Sequence, residues 1–280
     1  MSKLGRLFSF HLEGELFLCQ AEDNHYTFAD MYTLKKSLGQ HFLKDENVCK
    51  KIVASLRQCS FTQLLEVGPG GGALTKYLIE IPGIDFKAVE LDSEKVDYLS
   101  NNFPGLKEKI IHKSFLDIKQ PFEGKFTVVG NFPYNISTQI LFKILEWKVD
   151  IECAVGMFQK EVAQRIVAKE GSKVYGITSV LAQAFFNVEY LFEVSEHSFQ
   201  PPPKVKSAVI RLKPKSEYVA MRSEESFFKL VKAAFNQRRK TLRNAVRDLF
   251  DAKILGDDLF NKRAEQLSVH QFAELTFVMK

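Results

Sequence analysis

No stretch of the chain holds the roughly 18 successive apolar residues that a membrane-spanning helix needs, so no membrane partner is expected. The opening segment, MSKLGRLFSFHLEGELFLC, begins like a signal peptide. His11, Glu13 and Glu15 break its apolar core, and an exported protein is not expected. Cysteine is scarce: Cys19, Cys49, Cys59 and Cys153 form no C-x-x-C pair. They read as separate reduced thiols of a cytoplasmic protein, and neither a disulfide framework nor a metal site is expected. There is no internal repeat and no low-complexity tract. What is present is a chain of 280 residues, 45% hydrophobic, which fits one large domain or two ordinary ones with a proper core. The net charge of +5 permits a nucleic-acid partner, although many proteins of similar charge bind none.

Residues 1–33 carry apolar residues without a clear period. Met31 offers an alternative start, which would make 1–30 an upstream extension; the rival is a true N-terminal arm. From Asp45 a helix is expected, because Asp45 can cap it and Val48, Ile52, Val53 and Leu56 recur at helical spacing. TQLLEV, DFKAVEL, EKIIHKS, FTVVGN and ECAVGMF read as strands. ALTKYLIE, SEKVDYLSNN, STQILFKILEW and QKEVAQRIVAKE read as the helices between and after them. This alternation predicts an α/β fold, a doubly wound parallel sheet with helices on both faces, over residues 34–215. EYLFEVS and SAVIRLKP, separated by a loop with Pro201, Pro202 and Pro203, predict an antiparallel closing pair. From 216 to 280 the strand pattern stops. EESFFKLVKAAF, RRKTLRNAVRDLF and SVHQFAELTFVM predict a small helical domain.

LLEVGPGGGALT places Gly68, Gly70 and Gly72 between a strand and a helix, where bare backbone can turn sharply and meet a ligand. Glu90 follows 18 residues after Gly72 and ends the next strand. A carboxylate there can accept from ribose hydroxyls. Gly68-x-Gly70-x-x-Ala73 also satisfies the dinucleotide fingerprint. The loop therefore indicates an adenosine-type cofactor and does not choose between NAD and S-adenosylmethionine.

VVGNFPYNIS leaves the fourth strand at the carboxyl edge of the sheet, where open α/β sheets place their sites. The pattern Asn-x-Pro-Tyr resembles the signature of methyltransferases that act on exocyclic amines of nucleobases. An adenine amine is a poor nucleophile, because its lone pair is delocalised into the ring. Two acceptors placed to receive its N–H bonds out of the ring plane favour the tetrahedral geometry that attack requires. The Asn131 side-chain oxygen is one candidate. The carbonyl of Phe132, fixed by Pro133, is the other. Tyr134 can stack on a flipped base, worth roughly 1–3 kcal/mol.

Seven blocks, KKSLGQHFLKD, LLEVGPGGGALT, AVELD, VVGNFPYNIS, FQKEVAQRIVA, SFQPPPKVKSAVIRL and AAFNQRRKTLRNAV, occur in one order. With them the chain resembles the KsgA-type small-subunit (16S) rRNA adenine dimethyltransferases. The resemblance runs from about Leu34 to at least Val246 and implies a Rossmann-like class I methyltransferase domain. It implies that S-adenosylmethionine methylates two adjacent adenosines in the 3′-terminal hairpin of the RNA, within the immature 30S particle, leaving S-adenosylhomocysteine. It also places His41, Leu43, Gly68, Glu90, Ser114 and Asn131 against the cofactor, and Phe199 as a second aromatic wall of the base pocket. Ser114 departs from the family, which usually has Asp there. Its hydroxyl accepts more weakly than a carboxylate, and Asp117 is a candidate to compensate.

For RNA contact, Arg239, Arg243 and Arg247 fall at spacings of four in the expected helix RRKTLRNAVRDLF. Arg238 and Lys240 lie beside them, and Lys35, Lys36, Lys204 and Lys206 flank the expected pocket. A merely solvated basic face is the competing reading. A monomer is expected. Three rival functions remain: a large-subunit rRNA adenine methyltransferase, a non-catalytic RNA-binding assembly factor, and an NAD-dependent oxidoreductase that leaves NFPYN unexplained.

Overall fold

The computed structural model describes residues 8–12, 15–19 and 42–280. Lys35, Lys36 and His41 lie outside them, as does the question of Met31. The chain divides into two compact units, Met1–Gly39 and Gln40–Lys280. In the first, β1 (Phe8–Leu12) and β2 (Glu15–Cys19) form an antiparallel hairpin that pairs Phe10 with Phe17.

The second unit opens with β3 (Phe42–Leu43) and α1 (Glu46–Leu56). Asp45 caps α1 as expected, accepting from the N–H groups of Asn47 and Val48 at 3.0 and 3.3 Å. Then come β4 (Gln63–Val67), α2 (Thr75–Leu78), β5 (Asp85–Glu90), α3 (Ser93–Asn102), β6 (Ile110–His112), β7 (Phe126–Asn131) and α4 (Ser137–Glu146). The chain continues through β8 (Ile151–Gln159), α5 (Lys160–Val167), α6 (Ile177–Phe185), β9 (Phe186–Val194), β10 (Phe199–Gln200) and β11 (Ser207–Pro214). It ends in α7 (Glu224–Asn236), α8 (Leu242–Ala245), α9 (Ala252–Leu255) and α10 (Val269–Leu275).

The main sheet has seven strands in the order β6-β5-β4-β7-β8-β11-β9. The first five are parallel; β11 runs antiparallel between β8 and β9. The expected parallel sheet and its closing pair are both present. Strand order reverses between β4 and β7, so their carboxyl ends form the crevice in which such sheets bind ligands. Side chains alternate between two buried clusters. Leu65, Val67, Val128 and Ala154 join one with α4, α6 and α7. Leu64, Val129, Val155 and Met157 join the other with α1 and α2. The last strand ends at Pro214, and α7 and α10 bury Phe227, Leu230, Val231 and Phe272 in the first of these clusters. Residues 40–280 are thus one compact unit.

Two expectations need correction. Cys59 and Cys153 are joined as a disulfide, with sulfurs 2.21 Å and Cα atoms 6.2 Å apart. They are not separate thiols, because α1 packs on the face of the sheet beside β8 and brings residues 94 positions apart together. Cys49 remains a buried thiol, pushed up to about 11 by desolvation. RRKTLRNAVRDLF is also not one helix. Residues 238 and 239 are turn and Lys240 is a bend, Thr241 is extended at φ −64° and ψ 155°, and helix covers only Leu242–Ala245 before a 3₁₀ turn at Arg247–Leu249. Tertiary hydrogen bonds outweigh helix continuation here. The Leu242 N–H donates to the Lys262 carbonyl at 2.7 Å, and Arg243 Nε donates to the Leu255 carbonyl at 2.9 Å.

Candidate active site

The glycine loop after β4 holds Gly68, Gly70 and Gly72 at φ +67°, +55° and +79°. Side chains rarely adopt that region. At Gly72 a Cβ would also lie 2.7 Å from Phe103. Glu90 closes the cradle from the end of β5. One of its oxygens accepts from the Gly70 N–H at 3.1 Å, and the other from the N–H groups of Leu91 and Asp92 at 2.9 and 3.0 Å. A carboxylate has about four lone-pair sites, so Glu90 can brace the loop and still accept from a ribose. Beneath the loop lies Glu66, buried on β4. Burial, and then the charge of Glu90, push its carboxyl up to about 8, against a 2.7 Å hydrogen bond donated by Thr75. Ser114 stands before the 3₁₀ turn at Phe115–Asp117, where its hydroxyl accepts from the Leu116 N–H at 3.2 Å. Asp117 is exposed.

Asn131 ends β7, and Phe132, Pro133 and Tyr134 follow at the strand's carboxyl edge. Phe132 is buried; Asn131, Pro133 and Tyr134 are half-buried. The Tyr134 hydroxyl lies 2.5 Å from Ser207 Oγ, at the start of β11. Desolvation raises the Tyr134 hydroxyl above its usual range. The two loops leave neighbouring strands: a Cβ built on Gly68 would sit 3.7 Å from Pro133 Cδ, so there is room between them for little more than one side-chain carbon.

Leu43 and Phe199 are register partners across β3 and β10 and lie buried in the same cluster. Phe199 is fully buried. The residue that sequence reasoning missed here is Phe42. Alternation along β3 turns it away from Leu43, and its ring would be 3.6 Å from a Cβ on Gly70, with Lys95 Nζ 4.5 Å from its centroid. The alternation was the available signal, but two residues are too few to reveal it. Ser207 was missed as well; its partner Tyr134 is 73 positions away.

The basic residues divide into two sets. Lys204, Lys206, Arg239, Lys240 and Arg247 are exposed. Arg243 is bound to the Leu255 carbonyl, and Arg238 donates to the carbonyls of Lys173 and Tyr175 at 2.7 and 3.2 Å. The expected stripe of Arg239, Arg243 and Arg247 is absent, since only Arg243 lies in α8.

The seven-stranded sheet, with a glycine cradle at the end of β4 and an Asn-Phe-Pro-Tyr loop at the end of β7, has the fold of class I S-adenosylmethionine-dependent methyltransferases. A dimethyladenosine transferase from Plasmodium falciparum superposes with a TM-score of 0.73 at 24% identity, over 85% of this chain and 99% of that one. The 23S rRNA methyltransferase ErmE gives 0.64 at 23%, over 84% and 99%. The chain belongs to the ribosomal RNA adenine dimethylase family, whose profile matches residues 31–277. Ribosomal RNA small subunit methyltransferase A of Cytophaga hutchinsonii is 53% identical over 86% of this chain and 95% of its own length. Its counterpart in Flavobacterium johnsoniae is 53% identical over 86% and 94%.

Proposed function

We propose that the protein is an rRNA (adenine-N6)-dimethyltransferase of 16S rRNA. It acts on two adjacent adenosines in the 3′-terminal hairpin, within the immature 30S particle, and works as a cytoplasmic monomer. Family membership and the small-subunit relatives support the reaction. The observation that carries the reading is that β4 and β7 are paired neighbours, so the loop with Pro133 leaves the sheet beside the glycine loop with Gly68, an amine-binding loop next to a nucleotide cradle.

The cradle fits S-adenosylmethionine. Gly68, Gly70 and Gly72 offer bare backbone, Glu90 meets the ribose hydroxyls, and Ser114 is set for the adenine amine. His41, Leu43 and Asn131 complete the set that family resemblance gives. The bound donor supplies a methyl group on a sulfonium, already a good leaving group. This chain's own part is positioning. Asn131 Oδ1 and the Phe132 carbonyl accept the two N–H bonds of the target amine and turn its lone pair out of the ring plane. The same oxygens stabilise the positive charge that develops on nitrogen. No strong base is needed, because a methylated ammonium readily loses its proton to water. Tyr134 stacks on the flipped base, and this helps offset the few kcal/mol of unstacking; Phe199, expected as a second wall, is instead packed in the core with no exposed face. Incubation with labelled donor and unmethylated small-subunit particles, followed by nucleoside mapping, tests the reading. Dimethyladenosine at two neighbouring positions is expected. Label confined to large-subunit RNA, or none, defeats it.

A further inference from the structure

Two glycines in the middle of the sheet stand outside both loops. Gly130 on β7 and Gly156 on β8 are register partners. Glycine inside a strand gives up packing and costs conformational entropy, and it marks a place where something approaches the backbone closely. That something is Phe132. A Cβ on Gly156 would lie 2.2 Å from Cε2 of the Phe132 ring and 2.8 Å from its Cδ2 and Cζ. A Cβ on Gly130 would lie 3.0 Å from Cε1 of the same ring and 2.4 Å from the Val67 carbonyl. The ring therefore fills the space that a side chain on Gly156 would take, and it borders Gly130, where the Val67 carbonyl already bars one. Phe158 closes the socket edge-on, its centroid 5.1 Å away at 86°.

The backbone of Phe132 is tied down on the same strand. Its N–H donates to the Met157 carbonyl at 3.2 Å, one residue from Gly156. Pro133 follows with φ −54°, so the peptide between them has little freedom. Plain core packing would not call for this arrangement at Gly156: a smaller residue at 132 over an alanine at 156 fills the sheet face without that glycine, whereas Gly130 is also required by the Val67 carbonyl. Here β8 gives up a side chain at Gly156 to seat one aromatic of the loop after β7.

We propose that Gly156, with Gly130 beside it, is a positioning residue for methyl transfer. The socket it forms holds the Phe132 ring and so fixes where the Phe132 carbonyl meets the target amine. This deepens the function proposed above and rests on it. A misplacement on the order of 1 Å at a reacting centre can lower a rate by about 100-fold.

The test compares wild type, Gly156→Ala, Phe132→Leu and the double variant in steady-state methylation of unmethylated small-subunit particles. Calorimetric S-adenosylmethionine binding and melting are followed in parallel. Gly156→Ala is expected to lose about 100-fold in kcat, with KM for particles and cofactor affinity little changed. Leucine lacks Cε2, the ring atom that the new methyl would strike hardest, and Cζ beyond it, so the double variant should turn over nearly as fast as Phe132→Leu alone. If Gly156→Ala does not accumulate folded, that second comparison decides. The proposal is overturned if Gly156→Ala keeps wild-type kcat, or if it slows the Phe132→Leu protein as much as the parent. An active wild type with an indifferent Gly156→Ala removes the socket alone. A wild type silent on these particles removes the functional reading, and the socket's role with it.

Discussion

Tyr134 and Ser207 show how one hydroxyl pair can decide the use of a ring. A tyrosine offered to a base must present its face, and the 2.5 Å contact with Ser207 fixes the ring's far end to the first residue of a strand paired on both sides. Tyr134→Phe and Ser207→Ala each remove that link and keep the ring. Each should weaken productive capture of the particle by about fivefold, the size of a hydrogen bond worth roughly 1 kcal/mol. Because both delete one interaction, the double variant should be no worse than either single one. Additive losses in kcat/KM would show that the two hydroxyls act separately. Ser114 poses a complementary case. Its hydroxyl caps the turn at Phe115–Asp117, and an aspartate can cap the same turn. Ser114→Asp adds a charged acceptor for the adenine amine and should tighten S-adenosylmethionine binding by about fivefold to tenfold. Equal affinities by calorimetry would remove Ser114 from the adenine site.

Between β4 and α2 the link is Glu66, which carries the hydroxyl of Thr75 beneath the glycine loop. Its carboxyl titrates near 4.5 when unperturbed and about 8 in the folded protein. Below 4.5 both folded and unfolded chains hold the proton, and the stabilisation is complete. Between 4.5 and about 8 only the folded chain holds it, so stability declines by about 1.4 kcal/mol per pH unit. Glu66→Gln keeps an oxygen for Thr75 and has no proton to lose. Urea unfolding should find the two proteins alike near pH 4.5 and the variant more resistant at pH 8; the reverse order would refute a protonated Glu66. The strand itself was legible, since LLEV is a short apolar run bounded by turn residues, and so were β5, β7 and β8. The glycine and Asn-Phe-Pro-Tyr segments were legible as loops at the ends of β4 and β7, because Gly, Pro and Asn punctuate a strand locally. α6 was not: seven of its nine residues are buried, so it carries no polar stripe to reveal a period. The break before α8 was hidden for another reason. The carbonyls of Lys262 and Leu255 that cause it are distant in sequence. Phe42, Ser207 and the Gly130–Gly156 pair were invisible on the same ground, since each is defined by a partner in another strand or loop.

Across the whole molecule, a net charge of +5 matters less than which cations are free to meet a phosphate. Arg238 and Arg243 serve backbone carbonyls, so their guanidinium groups hold the C-terminal segment together. Lys204, Lys206, Arg239, Lys240 and Arg247 are exposed, and Arg247 meets an exposed Asp248 at 3.6 Å, a pairing worth little in water. If these five each neutralise one RNA phosphate, log affinity should fall against log salt with a slope of about −4. Tripling the salt would then weaken binding to the particle by about 80-fold. Lys240→Ala should lower the slope by about one and leave melting unchanged. Arg243→Ala should do the opposite: it orphans the Leu255 carbonyl, lowers stability by about 1–3 kcal/mol, and leaves the slope as it was. Filter-binding titrations at several salt concentrations, set beside melting curves, separate the two behaviours. A flat salt response in the wild type would mean that base and shape contacts carry the RNA. A slope lost in Arg243→Ala but kept in Lys240→Ala would reverse the division between structural and RNA-facing cations.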